Sequence, residues 1–359
     1  MPGRVETPQD LTILTKTEPL HNWSRDRVDS PQVVHRVLIC PRMADVLFIL
    51  DPLAKIDPTG DTSYVMVTEA LRRGHRPFYA TLDGLYLRDC AAWAHARPLG
   101  LASDEPRAPL VDRGELGARP LAEFAVVFMR KDPPVDPGFI AATWILDRAQ
   151  TLVLNEPKGL RDLNEKLSML AFPELIPDTR LLRRIADLRG ALDEMGGEMI
   201  VKPLLGYGGR EILQAKRGDP NLSTILEIAT ADETRWTVAQ QFIPEAAEGD
   251  KRILLVDGEP VGAVLRVPAV GELRDNFHAG GRGVATELSA REREICAVVG
   301  PYLRERGQFF AGIDVLGDYL TEINVTSPTG MREVNALDGL DGDATMQALF
   351  WDGVEAKLA

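Results

Sequence analysis

From residue 44 onward, short apolar runs alternate with stretches of helical spacing, and this change of period constrains the fold more than any other feature. "ADVLFILDP" (44–52) suits a buried strand. "TSYVMVTEALRRG" (62–74) has helical spacing and a stop at Gly74. "RPFYATL" reads as a strand, "FAVVFMR" (124–130) as another, "GFIAATWILDRA" (138–149) as a helix and "LVLN" (152–155) as a strand. That alternation predicts an α/β layer of parallel strands.

The pattern changes after residue 160. "LRDLNEKLSMLAF" (160–172) reads as a helix carrying Lys166, and "ADLRGALDEMGG" (186–197) as a helix between the strands "IPDTRLL" and "MIVKPL" (199–204). "WTVAQQFI" follows, then "KRILLVDGEPVGAVLRV" (251–267), a hairpin turning at Asp257-Gly258. A Gly-rich loop through 280–283, the helix "AREREICAVVGPYLRERG" and a last hairpin complete an α+β half. No internal repeat interrupts this order.

Bulk properties narrow the function. A net charge of −13 over 359 residues argues against nucleic acid or an anionic membrane as partner. No stretch has the length of a membrane span, and residues 1–43 form a polar, proline-dotted extension rather than a signal peptide. Cys40, Cys90 and Cys296 lie far apart, which suits a reduced, cytoplasmic setting and no thiolate zinc site. The five histidines show no metal spacing, and no G-x-S-x-G elbow occurs.

Three constellations remain. In "GIDVLGDYLTEINVTSPTG" (312–330), Ile313 and Val315 share one strand face with Ile323 and Val325, leaving Asp314, Glu322 and Asn324 opposite. A three-residue loop at Gly317, Asp318 and Tyr319 would pair 314 with 322 and gather these oxygens. Two adjacent carboxylates call for a cation, and Mg²⁺ accepts such donors together with phosphate; a solvated acidic face has the same spacing. In "MIVKPLLGYGGREI", a strand delivers Lys202 to a loop of Gly206, Gly208 and Gly209, whose amides can approach phosphate closely. It matches neither a Walker A loop nor G-x-G-x-x-G, and an ordinary turn would look alike. Arg252, Arg266, Arg274 and Arg282 border glycines or strands and suit carboxylate or phosphate, as do Arg130 and Lys131 at a strand end. Each taken singly also fits a surface position.

Taken together, "DPLAKI", "MRKDPPVD", "LRDLNEKL", "VKPLLGYGG", "GDKRILLVDGEPV", "LRDNFHAGGRG" and "GIDVLGDYLTEINVTSPTGMRE" resemble bacterial glutathione synthetases, in that family's order, from about residue 46 to the C-terminus. The resemblance implies an ATP-grasp fold preceded by a Rossmann-like pre-ATP-grasp domain. The expected division is a polar extension (1–43), a pre-ATP-grasp domain (44–163), an N-lobe with the glycine loop (164–240) and a C-lobe with metal and substrate sites (241–359).

It also implies roles. Lys166 and Lys202 would contact ATP phosphates, with Gly206, Gly208 and Gly209 closing over them. Gln241, Phe242 and Ile243 would border adenine, and Asp250 the ribose. Asp314, Glu322 and Asn324 would hold Mg²⁺, with Mn²⁺ as a substitute. Arg252, Arg266, Arg274 and Arg282, with Asn276, would serve the reacting groups, while Arg130, Lys131, Ser327, Pro328 and Thr329 would border substrates. The expected reaction is ATP-dependent amide formation between γ-glutamylcysteine and glycine, in a cytoplasmic homo-oligomer.

Departures from the family pattern cluster near the substrate end: Leu205 where an Asp is usual, Arg210-Glu211 after the glycines, Gly330 where a Cys is common, a shorter strand between Pro260 and Arg266, and an acidic tail "NALDGLDGDATM". They leave open a related ligase using a different amine or γ-glutamyl acid, and a non-catalytic nucleotide-binding protein.

Overall fold

Apolar β-branched runs flanked by amphipathic helices fold here into three sheets. The structure is a computed structural model that describes residues 43–269 and 281–359. The polar extension to residue 42, and Arg274 and Asn276, lie outside the described residues.

The first sheet contains β1 (Asp45–Ile49), β2 (Arg76–Ala80), β3 (Leu85–Arg88), β4 (Ala91–Leu101), β5 (Leu110–Asp112), β6 (Gly117–Pro120), β7 (Val126–Met129) and β8 (Leu152–Leu154). Its centre, β2-β1-β7-β8, is parallel as expected. Because helices cover both faces, β1 is apolar on both sides, with Val46 through Leu50 fully buried. The connecting helices are α1 (Thr62–Arg72), α2 (Pro137–Leu146) and α3 (Pro157–Asp162). Asp61 caps α1 by accepting from Ser63 N at 2.6 Å. Strands β3 to β6 form an antiparallel excursion that the sequence reading did not contain.

The second sheet, β11-β10-β12-β9, is antiparallel. It comprises β9 (Thr179–Leu182), β10 (Glu198–Pro203), β11 (Leu213–Lys216) and β12 (Thr237–Gln241), backed by α4 (Ile185–Glu194) and α5 (Leu222–Thr230). Its core of Leu188, Leu192, Met199, Val201, Leu226 and neighbours belongs to this lobe alone.

The third sheet runs β15-β14-β13-β16-β17, with β13 (Asp250–Val256), β14 (Glu259–Val267), β15 (Arg282–Ala285), β16 (Phe310–Leu316) and β17 (Tyr319–Asn324). Helices α6 (Ala290–Glu305), α7 (Met331–Asp338) and α8 (Met346–Leu358) pack on it. Its residues share two cores with the first sheet: Leu47 and Ile49 cluster with Ile253 and Ile313, and Val46 and Phe48 with Val256 and Trp351.

Two local expectations are corrected. The helix expected over 160–172 ends at Asp162, so Lys166 lies in a turn. Asn164 explains the break: its side chain accepts from Lys166 N at 3.0 Å and Leu167 N at 3.2 Å, which competes with helical bonding. The last hairpin turns on two residues, Gly317 and Asp318, since Leu316 pairs with Tyr319. Asp314 still pairs with Glu322 because Thr321 bulges out of β17, and its hydroxyl donates to Asp314 O at 3.1 Å.

Candidate active site

The second and third sheets face each other across two adjoining cavities. The smaller, about 90 Å³, is lined by Lys202, Ile212, Gln241, Phe242, Ile243, Asp250, Arg266, Asp314 and Glu322 among others. The larger, about 340 Å³, lies under the loop Gly206–Arg210 and reaches Asp132, Pro133, Arg252, Asn324 and Thr326 through Thr329. Ile212, Arg266 and Glu322 line both, so a ligand spanning the two must pass these side chains.

Charges alternate in this cleft. On β13 and β14, neighbouring antiparallel strands, Asp250 stands directly opposite Arg266. On β13 and β16, Arg252 stands opposite Asp314. Such cross-strand pairs lie within bonding reach. Arg252 binds both oxygens of Asp314, Nη2 to Oδ2 at 2.9 Å, and Arg266 Nη2 reaches the same Oδ2 at 3.0 Å. Arg266 also clasps Asp250, Nε to Oδ1 at 2.7 Å. Burial would raise the Asp314 carboxyl, but the Arg252 and Arg266 guanidiniums override it and hold the group well below the usual carboxylate range.

Glu322 stands opposite Asp314 on β17, with Lys202 Nζ at 3.6 Å from its Oε1. The Asn324 amide donates to Asp314 Oδ2 at 3.3 Å. Glu165, beside Lys166, is raised by burial first and then by the charge of Glu322, which marks how tightly carboxylates crowd here. Among the described residues, no three His, Cys, Asp or Glu side chains converge into a self-sufficient metal cage. Asp314, Glu322 and Asn324 offer oxygen donors of the kind a hard cation takes together with water and phosphate, while both Asp314 oxygens are engaged here by Arg252 and Arg266.

Lys166 is buried and donates to Gly206 O at 2.5 Å, tying the glycine loop to the turn after α3. Gly208 and Gly209 adopt left-handed φ of +65° and +72°, conformations that leave the loop amides free of Cβ obstruction. Ser327, Pro328 and Thr329 line the larger cavity, and Ser327 Oγ is buried with no hydrogen-bond partner among the described residues.

Three of the expected basic residues stand elsewhere. Arg130 is buried beneath the site, donating to Ser63 Oγ and to Pro328 O at 3.1 Å, over the Phe310 ring. Lys131 pairs with Asp51 at 3.2 Å, and Arg282 is exposed on β15; none of the three lines either cavity. Conversely, the cavity lining includes Asp132, Glu165, Tyr207 and Thr326, which sequence reasoning did not single out. Glu165 had one available signal, its place beside Lys166 in the "LRDLNEKL" motif.

A cleft gripped between two sheets, with Lys202 entering from one and carboxylates from the other, is the architecture of ATP-grasp proteins. Solved structures agree on the fold: a D-cycloserine synthetase, DcsG, matches with a TM-score of 0.62 at 12% identity, over 88% of this chain and 100% of its own. A RimK-domain ATP-grasp protein from Sphaerobacter thermophilus matches at 0.56 and 17% identity, over 86% and 99%.

Sequence comparison narrows the class. Residues 44–161 match the model for the prokaryotic glutathione synthetase N-terminal domain, and residues 165–339 that for its ATP-grasp domain. Glutathione synthetase of Xanthomonas axonopodis pv. citri is 46% identical over 319 residues, 88% of this chain and 99% of that protein. That of Escherichia coli K12 is 44% identical over 315 residues, 86% and 97%. The chain belongs to the prokaryotic glutathione synthetase family.

Proposed function

We propose that the chain joins γ-glutamylcysteine to glycine at the expense of ATP. A carboxylate is a poor electrophile, so ATP first converts it to an acyl phosphate; the glycine amine then displaces phosphate and an amide forms. The observation that carries this reading is the pair of adjoining cavities sharing Ile212, Arg266 and Glu322. The smaller suits a nucleotide with its phosphates at that junction. The larger suits the acid and amine, with Ser327 to Thr329 at its far wall.

In this reading Gln241, Phe242 and Ile243 border the base, and Asp250 faces the ribose while orienting Arg266. Lys166 and Lys202 bind phosphate oxygens, exchanging their present carboxylate and carbonyl partners for stronger ones. Arg252 and Arg266, already fixed by Asp314 and Asp250, present guanidinium groups without reorganisation where charge develops. The glycine loop excludes water from the activated acid. Asp314, Glu322 and Asn324 hold Mg²⁺, which when bound neutralises charge on the phosphates. No protein nucleophile is needed. Arg274 and Asn276 belong to the same reading, as do the domain division at 44–163, 164–240 and 241–359, a homo-oligomeric state and a cytoplasmic location. Among the described residues no helix is long and apolar enough to cross a membrane.

The test is phosphate release from Mg-ATP with both substrates, each omitted in turn, and the product mass. Release that requires both, with a glutathione mass, is the expected result. Nucleotide binding without that product would overturn the substrate assignment and direct attention to other amines and γ-glutamyl acids.

A further inference from the structure

Arg210 is a cation of the cavity lining that the reaction scheme leaves unused. It lines the larger cavity from the glycine loop and is exposed. Each other lysine or arginine among the described residues lining the two cavities has a carboxylate: Glu165 for Lys166, Glu322 for Lys202, Asp314 for Arg252, and Asp250 with Asp314 for Arg266. Among the described residues Arg210 has no carboxylate partner. Its guanidinium rests instead over the Tyr207 ring, 5.6 Å from the centroid, a contact that orients the group while leaving its N–H donors unspent.

The loop holds Arg210 in that place from its C-terminal side. Glu211 adopts a left-handed φ of +57°, unfavourable for a residue with a side chain. Its carboxylate pairs with Arg235 Nη1 at 2.7 Å. Arg235 in turn donates to Ile228 O at 2.8 Å and Ala229 O at 3.1 Å, at the end of α5. The residue after Arg210 is therefore fastened to a helix end, and Arg210 itself lines the cavity. Arg210-Glu211 is also, with Leu205, one of the two places at which this loop departs from the family pattern.

We propose that Arg210 is an oxyanion-binding residue, carried by the glycine loop over the larger cavity, that forms charge-assisted hydrogen bonds to a phosphoryl or carboxylate group of the bound reactants. The inference rests on the ligase reading above. A guanidinium fork matches either oxyanion, and the two sources separate by experiment.

Binding of Mg-ADP, of a non-hydrolysable Mg-ATP analogue, and of γ-glutamylcysteine in the presence of Mg-ADP would be measured by calorimetry. The proteins are the full chain and its Arg210→Ala and Arg210→Lys variants. Arg210→Ala is expected to weaken one of these ligands by about tenfold, the effect of losing one charge-assisted contact at a partly exposed site, with partial recovery in Arg210→Lys. Loss confined to the ATP analogue identifies the terminal phosphoryl group. Loss confined to the dipeptide identifies a substrate carboxylate. Unchanged affinities in Arg210→Ala overturn the proposal, and so does equal weakening of all three ligands, Mg-ADP included, which would mark a structural role in the loop. If the unaltered chain itself binds no nucleotide or dipeptide, the ligase reading fails rather than the role of Arg210.

Discussion

Glu322 lies on a strand whose other face is core, so its carboxylate can change without disturbing packing. Glu322→Gln is therefore expected to keep its melting temperature and to lose Mg-ATP turnover by at least about 100-fold, because a neutral amide is a poorer cation ligand. Near-normal turnover would remove Glu322 from the ligand set. Asp61 gives a pH-dependent counterpart. Burial raises its carboxyl above the usual value, partly offset by Arg130. The charged form is thus penalised in the fold: the contribution of Asp61 is complete below about pH 4 and declines as pH rises through the raised value. Asn is an equally good cap. Urea unfolding of Asp61→Asn should show stability relative to the parent that is flat below about pH 4 and improves toward neutrality. A difference that does not vary with pH would refute the assignment. At this scale the sequence was readable where a strand presents a side chain to the cleft, as with Lys202, Asp314 and Glu322. It was not readable for Arg130, whose Pro328 carbonyl partner is 198 residues away.

The β16–β17 hairpin shows how an element can reach the expected pairing by another route. Alternation of Ile313, Val315, Ile323 and Val325 required Asp314 to face Glu322, since a slip by one would expose the apolar set. A two-residue turn with a bulge at Thr321 satisfies that demand as well as a longer loop does, and periodicity does not distinguish them. The β13–β14 hairpin, by contrast, turns at Asp257 and Gly258 as their residue types demand, both at positive φ. Its turn then receives α6 at unusually close range. A Cβ on Gly300 would stand 2.1 Å from Gly258 O. Arg304 of the same helix donates to Asp257 O at 2.6 Å. Overpacking costs about 1–3 kcal/mol against the roughly 1 kcal/mol gained in helix propensity, and with backbone as the obstacle Gly300→Ala should destabilise by a net of up to about 2 kcal/mol. A raised melting temperature would mean that α6 shifts at no cost.

Across the whole molecule, the cores divide unequally. The first and third sheets share two clusters and are tied further by Trp351 Nε1 donating to Met66 O at 2.9 Å. The second sheet and its helices have a separate apolar cluster of their own. Because motion costs least where no core must be broken, ligand binding should act on this lobe. Hydrogen exchange with and without Mg-ATP is expected to show added protection in 199–212 and 237–243, with strands β1 and β7 unchanged. Protection spread evenly over all three sheets would contradict the division. The sequence by itself determined what depends on neighbours along the chain: strand and helix periods, the glycine loop, the Asp257-Gly258 turn and the face that presents Asp314 and Glu322. Tertiary structure alone decided which charges meet. Asp314 obtains its two arginines from β13 and β14, Lys166 finds the glycine loop across 40 residues, and Arg210 is left over a cavity with Tyr207 beside it and no carboxylate partner among the described residues. Local periodicity is written in spacing, whereas charge pairing depends on strand order and register, which bring together residues far apart in the chain.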